Sequence, residues 1–183
     1  MPVYALGNKH PTIHPTAWVH PTAVLIGDVR LGEEVSVWPG AVIRADNSPI
    51  TIGARTSIQD GSILHTQAEN PTTVGEDCVI GHLVHLEGCT IEDCVLVGSS
   101  AVVLEQVICR RGSLIGAKAM VTAGTEIPSG ALAVGVPAKV KLDKVKIERI
   151  TMNAEGYVEH LIDYRNNMRE ITLASCLSDT TKL

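Results

Sequence analysis

A six-residue beat of aliphatic side chains, a core almost without aromatic bulk, and many short units containing glycine predict an all-β repeat. The predicted fold is a parallel β-helix of hexapeptide repeats followed by a C-terminal α-helix. Hydrophobic residues make up 45% of the 183-residue chain, aromatics only 3%, and phenylalanine is absent. Val, Ile, Leu and Ala without large rings fill narrow, regular layers, which disfavours a sandwich or bundle held by aromatic side chains. The length suits a single domain.

The beat runs through Leu31, Val37, Ile43, Ile52, Ile58, Leu64, Val74, Ile80, Leu86 and Ile91, then Val97, Val103, Cys109, Ile115, Val121 and Ile127. All but three of the steps between neighbours are six residues long. The runs Ile13–Ala17 and Val19–Ala23 keep the same spacing upstream. An amphipathic helix cannot hold this period, because its apolar stripe drifts off one face. A short strand and a corner can, with three units closing one triangular coil that buries its aliphatic layer on the next. Two long steps place insertions at Asp46–Thr51 and Thr66–Thr73, expected to leave the prism as loops, and the step from Leu86 to Ile91 is one residue short. Loops on a rigid scaffold commonly carry function.

The β-helix is expected over residues 10–140. A mixed-charge connector and the helix follow over 141–172, and a disordered tail over 173–183. The helical stripe is Tyr157, Leu161, Tyr164 and Met168 with Val158 and Ile162 beside it, and Asn153 is the expected N-cap. A formal net charge of −5 gives no basic footprint for nucleic acid. No apolar run reaches membrane-spanning length and no signal-peptide pattern opens the chain, so a soluble, cytoplasmic protein is expected. The five cysteines lack zinc-ribbon spacing and read as reduced, mostly buried fillers.

Of the seven histidines, His10, His14, His20 and His160 read as surface or packing residues. His65 and Glu87 each follow an inward aliphatic, Leu64 and Leu86, so stacked coils place them in one outward column. His82 occupies a different slot, two residues after inward Ile80, and need not meet Glu87 within one chain. The two can meet across an interface in a closed threefold ring. Residue geometry leaves two readings open: a metal site shared between copies, or polar residues stacked on a wetted face.

Five stretches resemble one known family: Ile43–Asp46, Ile58–Gly61, Leu64–His65, Val74–His82 and Gly88–Thr90. Gly135–Lys139 is shared by hexapeptide proteins generally. Together they are similar to the γ-class carbonic anhydrases and their relatives, over roughly residues 10–140. The resemblance implies left-handed β-helices assembled as a homotrimer, with a metal, usually Zn²⁺, at each interface and CO₂/bicarbonate as substrate. By the same resemblance His65 is one ligand and His82 is the ligand given by the neighbouring subunit. The third position carries Glu87, a departure from the family's histidine, with His85 two residues earlier as a partial substitute. Two His and one Glu is an accepted zinc donor set, so loss of metal does not follow. The added negative charge weakens the metal as an acid toward water, so weak CO₂ hydration is expected, and Fe, Co, Ni or Mn become competitors for the site. The resemblance further implies subunit contacts for Arg44, Asp46 and Asp60 and a polar role near the metal for Gln59. Tyr157 either reaches the cleft or packs in the core.

Three functions remain open from the sequence: a metal-dependent hydration or hydrolysis enzyme, a metal-binding or scaffold trimer without turnover, and an acyl-CoA-dependent acyltransferase. No long loop offers a catalytic histidine for the last, and fold alone does not choose among them.

Overall fold

The computed structural model describes residues 2–172 and Ser175; the expected disordered tail falls, Ser175 aside, outside the described residues. The chain winds as a left-handed parallel β-solenoid of about seven turns and ends in one helix. Its strands are mostly two or three residues long, as a six-residue unit of strand plus corner requires. From Leu31 to Ile127 every position of the predicted beat, Cys109 included, points inward and is at most 4% exposed, while Ile13 and Val19 upstream are partly buried.

Three faces result. The first stacks Val42–Arg44, Ile63–His65, His85–Glu87, Val102–Val103 and Met120–Val121. The second stacks Ile50–Ile52, Thr72–Val74, Thr90–Ile91, Ile108–Cys109 and Glu126–Ile127. The third runs from Trp18–Val19 to Leu132–Val134 and holds Ser57–Ile58, Val79–Ile80, Leu96–Val97 and Leu114–Ile115 between them. Like sits on like in each column: Val37, Ile58, Ile80, Val97 and Ile115 lie in direct register. Each such Val or Ile, fully buried, contributes roughly 1.5–3 kcal/mol. That gain exists only when the next coil covers the layer, so the prism is stable as a stack and not coil by coil. Close stacking also dictates glycine at Gly53, where a Cβ would lie 2.6 Å from the backbone carbonyl carbon of Gly75.

The insertions differ from expectation. Asp46–Thr51 does not leave the prism as an open loop; it lies within a continuous strand, Val42–Ile52, that bridges the first and second faces. Gly27 pairs with Ala45 and Val29 with Ile50, so the extra residues bulge opposite Asp28 and the ladder resumes at once. The bulge survives because Ala45 and Ile50 on either side are both fully buried. The second insertion closes on itself through a Gln67–Asn70 bridge. The short step after Leu86 is absorbed at Gly88, whose φ of +58° turns the corner early.

The helix, α1, spans Ile147–Asn167 with Lys146 as N-cap, so Asn153 is not the cap but lies inside it. The connector starts it early: the Lys144 and Val145 N–H groups both donate to the Gly130 carbonyl, and Ile150 is then buried one turn in. The buried stripe is Ile150, Ala154 and Leu161, with Tyr157 half-buried; Tyr164 and Met168 are 40% exposed, so the expected stripe is shifted one to two turns toward the N-terminus. Leu161 and Tyr157 seat on Trp18 and Trp38, whose rings meet edge-on at 5.0 Å. These few aromatics dock α1 on the third face. No described helix is long and apolar enough to cross a membrane.

Cys78, Cys89, Cys94 and Cys109 are free and buried, while Cys176 lies outside the described residues. Burial pushes the Cys78 and Cys89 thiols up to about 12 and raises those of Cys94 and Cys109 as well. Thiolates are the reactive form. A Cys176→Ser protein is therefore expected to leave its four described thiols unreactive toward a thiol-exchange dye at pH 8 while folded, and to release all four in guanidinium.

Candidate functional site

The candidate residues fall into two groups on different parts of the prism. The first group is on the first face, where neighbouring coils pair His65 with Glu87 in register, as the column reading expected. His65 Nδ1 lies 3.4 Å from Glu87 Oε1, and His65 Nε2 lies 3.1 Å from Asp46 Oδ1 on the preceding coil. Asp46 is also paired with Arg44, two residues back on the same face. His85, again two residues from Glu87, reaches the other carboxylate oxygen at 3.2 Å. Gln67, which the sequence reading passed over, donates to Glu87 Oε1 at 3.4 Å; its only signal was its place two residues after His65.

Two carboxylates therefore share a partly buried face with two imidazoles and a guanidinium. The hydrogen bond from His85 holds the Glu87 carboxyl below its ordinary range, against partial burial, with Gln67 and His65 adding to it. For Asp46, partial burial is outweighed by Arg44 and His65, and its carboxyl is likewise depressed. Both side chains are anions at neutral pH, the form in which a carboxylate accepts these hydrogen bonds or holds a cation.

The second group sits at the corner between the third and first faces. His82 Nδ1 lies 2.9 Å from Asp60 Oδ2, and both side chains are about half exposed, at 52% and 47%. Gln59, next to Asp60, is buried at 3% exposure and lines one groove with Tyr157 and His82. Burial first, and then the Asp60 charge, raise the Tyr157 phenol, with the neighbouring Gln59 amide opposing them. The Tyr157 ring packs edge-on against Trp38 at 5.9 Å, and the residue also lines a groove with Gln59 and His82.

Among the described residues of one chain, no three His, Cys, Asp or Glu side chains are placed to hold a metal together. His82 pairs with Asp60 and not with His65 or Glu87. The donor types nevertheless fit a divalent metal: His65 and Glu87 face one another, and His82 keeps its Nε2 free of any protein partner among the described residues. Each of these two imidazoles also has one ring nitrogen against a carboxylate of the preceding coil, Asp46 for His65 and Asp60 for His82. That contact fixes tautomer and ring orientation in metal-ligating histidines. His14 and His20 instead turn to the Thr16 and Thr22 hydroxyls, as surface residues.

Comparison with known proteins follows the same lines. The family model described as "Bacterial transferase hexapeptide (six repeats)" matches residues 10–45. The chain is 37% identical over 158 residues to "Gamma carbonic anhydrase 1, mitochondrial" of Arabidopsis thaliana, covering 82% of this chain and 58% of that protein, so it spans little over half the plant relative's length. It is 40% identical over 139 residues to the carnitine operon protein CaiE of Escherichia coli, covering 76% of this chain and 71% of the relative. Among solved structures, a candidate acetyltransferase of Bacillus cereus superposes with a TM-score of 0.87 at 34% identity, covering 91% of this chain and 98% of the other. A hexapeptide transferase family protein of Anaplasma phagocytophilum gives 0.85 at 30% identity, with coverage of 89% and 98%. The repeat and these identities together place the chain in the γ-carbonic anhydrase-like family of hexapeptide-repeat proteins.

Proposed function

We propose that the chain works as a homotrimeric, metal-dependent enzyme that hydrates CO₂ or hydrolyses a related carboxyl electrophile. In this reading each metal lies between subunits, held by His65 and Glu87 of one chain and His82 of the next. The observation that carries the reading is the carboxylate behind each imidazole, Asp46 behind His65 and Asp60 behind His82. The exposed Leu83 and Ile63, 65% and 47% exposed beside the candidate residues, supply apolar surface for the subunit contact. A bound Zn²⁺, or Fe, Co or Ni in its place, would polarise water and the substrate carbonyl. The chain's own part is to hold His82 through Asp60, to keep Glu87 ionised through His85 and Gln67, and to present the Gln59 amide and Tyr157 hydroxyl to the substrate side. Free buried thiols favour a reducing compartment, and the cytoplasm is part of the proposal.

Metal analysis and sizing of the same purified sample test this. About one metal per chain in a trimer is the expected result. A trimer still metal-free after incubation with Zn²⁺ overturns the metal reading and leaves a scaffold. In a metal-loaded protein Glu87→His is expected to raise CO₂ hydration, because neutral imidazole leaves the metal the stronger acid. The likeness to the Bacillus cereus candidate acetyltransferase favours a second reading, acyl transfer, which requires saturable binding of acetyl-CoA.

A further inference from the structure

At the N-terminal end of α1 a groove of about 370 Å³ separates the helix from the third face. Leu96 and Leu114, adjacent in the ladder, form its floor with Ile150. Its rim carries Lys144, Lys146 and Arg149, and no carboxylate lines it. The arginines of the prism, Arg30, Arg44, Arg55, Arg110 and Arg111, each meet an Asp or Glu. Lys144, Lys146 and Arg149 have no ion-pair partner among the described residues. Glu148, in the same turn of α1, is exposed and does not line the groove.

We infer that this groove binds an anionic amphiphile, with a phosphate or carboxylate over Lys144, Lys146 and Arg149 and an apolar segment along Leu96, Leu114 and Ile150. Three unpaired cations converging on one place raise the local concentration of anions. The guanidinium adds a planar fork that takes two anion oxygens at once. An apolar floor between them and the core adds affinity that grows with the length of hydrocarbon covered. The groove adjoins the corner that holds His82. A second groove, of about 250 Å³, shares Leu96 and Asn153 with it and is lined by His82, Gln59 and Tyr157. A ligand anchored at the cations presents its other end to these residues, a step that rests on the function proposed above; the anion site itself does not.

Calorimetric titration of the metal-stripped protein tests the inference, using octyl phosphate below its micelle concentration, butyl phosphate, octanoate and inorganic phosphate. Octyl phosphate or octanoate is expected to bind once per chain, and octyl phosphate at least about tenfold tighter than inorganic phosphate, with butyl phosphate between. The tighter of the two octyl anions names the headgroup. The combined Lys144→Gln, Lys146→Gln, Arg149→Gln variant, with its size and melting temperature unchanged, is expected to bind about tenfold or more weakly, and the wild type to weaken as salt rises. No binding of either octyl anion, no gain with chain length, or equal affinity of variant and wild type overturns the groove site. The two proposals fail separately. A protein that holds metal but no octyl anion loses only the groove, and one that binds the amphiphile but no metal loses only the metal centre. The His82→Ala variant is expected to retain amphiphile binding.

Discussion

Two variants that each lose metal, His65→Ala and His82→Ala, are expected to regain it when coexpressed. In the proposed assembly each site takes His65 and Glu87 from one chain and His82 from the next, so a trimer of either variant alone has no complete site. Metal content in each is expected to fall below about a tenth of the wild-type level, a larger loss than removing an outer partner such as Asp60 produces. A mixed trimer differs. Around a closed ring, whichever variant is present twice, one junction joins a chain with intact His65 to a neighbour with intact His82. About one site in three of every mixed trimer is therefore rebuilt. Differently tagged chains, purified through both tags and analysed for metal, give the measurement. Metal at that level marks a site built between subunits; none in the mixed trimer, with metal in the wild type, means that His82 works within its own chain and the proposed arrangement is wrong. The physical ground is the separation seen in a single chain, where His82 meets Asp60 at the corner while His65 meets Glu87 on the face.

Trp38→Ala is expected to cost about 3–5 kcal/mol of stability and to release α1 from the prism. Trp38 is 6% exposed and lies between Trp18, Tyr157 and Tyr164, with ring centroids 5.0–5.9 Å apart. Its indole N–H donates to the hydroxyls of Ser36 and Ser57, at 3.0 and 2.9 Å, and both serines are buried. Deleting the ring opens a cavity and takes the donor from two buried acceptors at once. Trp38→Phe separates the terms: it keeps most of the packing and removes the N–H, for an expected loss of about 1–3 kcal/mol. Urea unfolding gives the energies, and limited proteolysis reads α1 directly, because a detached helix is cleaved while the stacked coils resist. An intact α1 and unchanged urea midpoint in Trp38→Ala would mean that Ile150 and Leu161 hold the helix without the aromatic cluster.

The β-helix was legible in the sequence because its determinant is local and repeated. Each inward side chain at a six-residue step is covered by the one a coil away, so the pattern that names Ile58 as buried names Ile80 and Val97 by the same rule. The same arithmetic put His65 and Glu87 in one column. Two local readings failed where a distant segment decided. The expected loop at Asp46–Thr51 became a bulged strand because Val24–Leu31 pairs with both of its ends. The expected N-cap, Asn153, became helix interior because Gly130 anchors the connector upstream and Ile150 finds a place on the third face.

By itself the sequence determined the period, the inward column and the kind of chemistry present, imidazoles with carboxylates in a cysteine-filled, aromatic-poor prism. These follow from spacing alone, since every coil repeats the geometry of the last. The tertiary structure decided which carboxylate holds which imidazole, that His85 and Gln67 serve Glu87, and that Tyr157 meets Gln59. It also decided that a connector reading as mixed charge brings three unpaired cations to one apolar groove. Those outcomes depend on the direction in which α1 returns along the third face, from the later coils back to Thr16, where Arg165 donates to the Thr16 carbonyl. That direction is set by burial of Ile150, Ala154 and Leu161 against coils far away in the chain, a long-range gain that the spacing of residues within the helix does not encode.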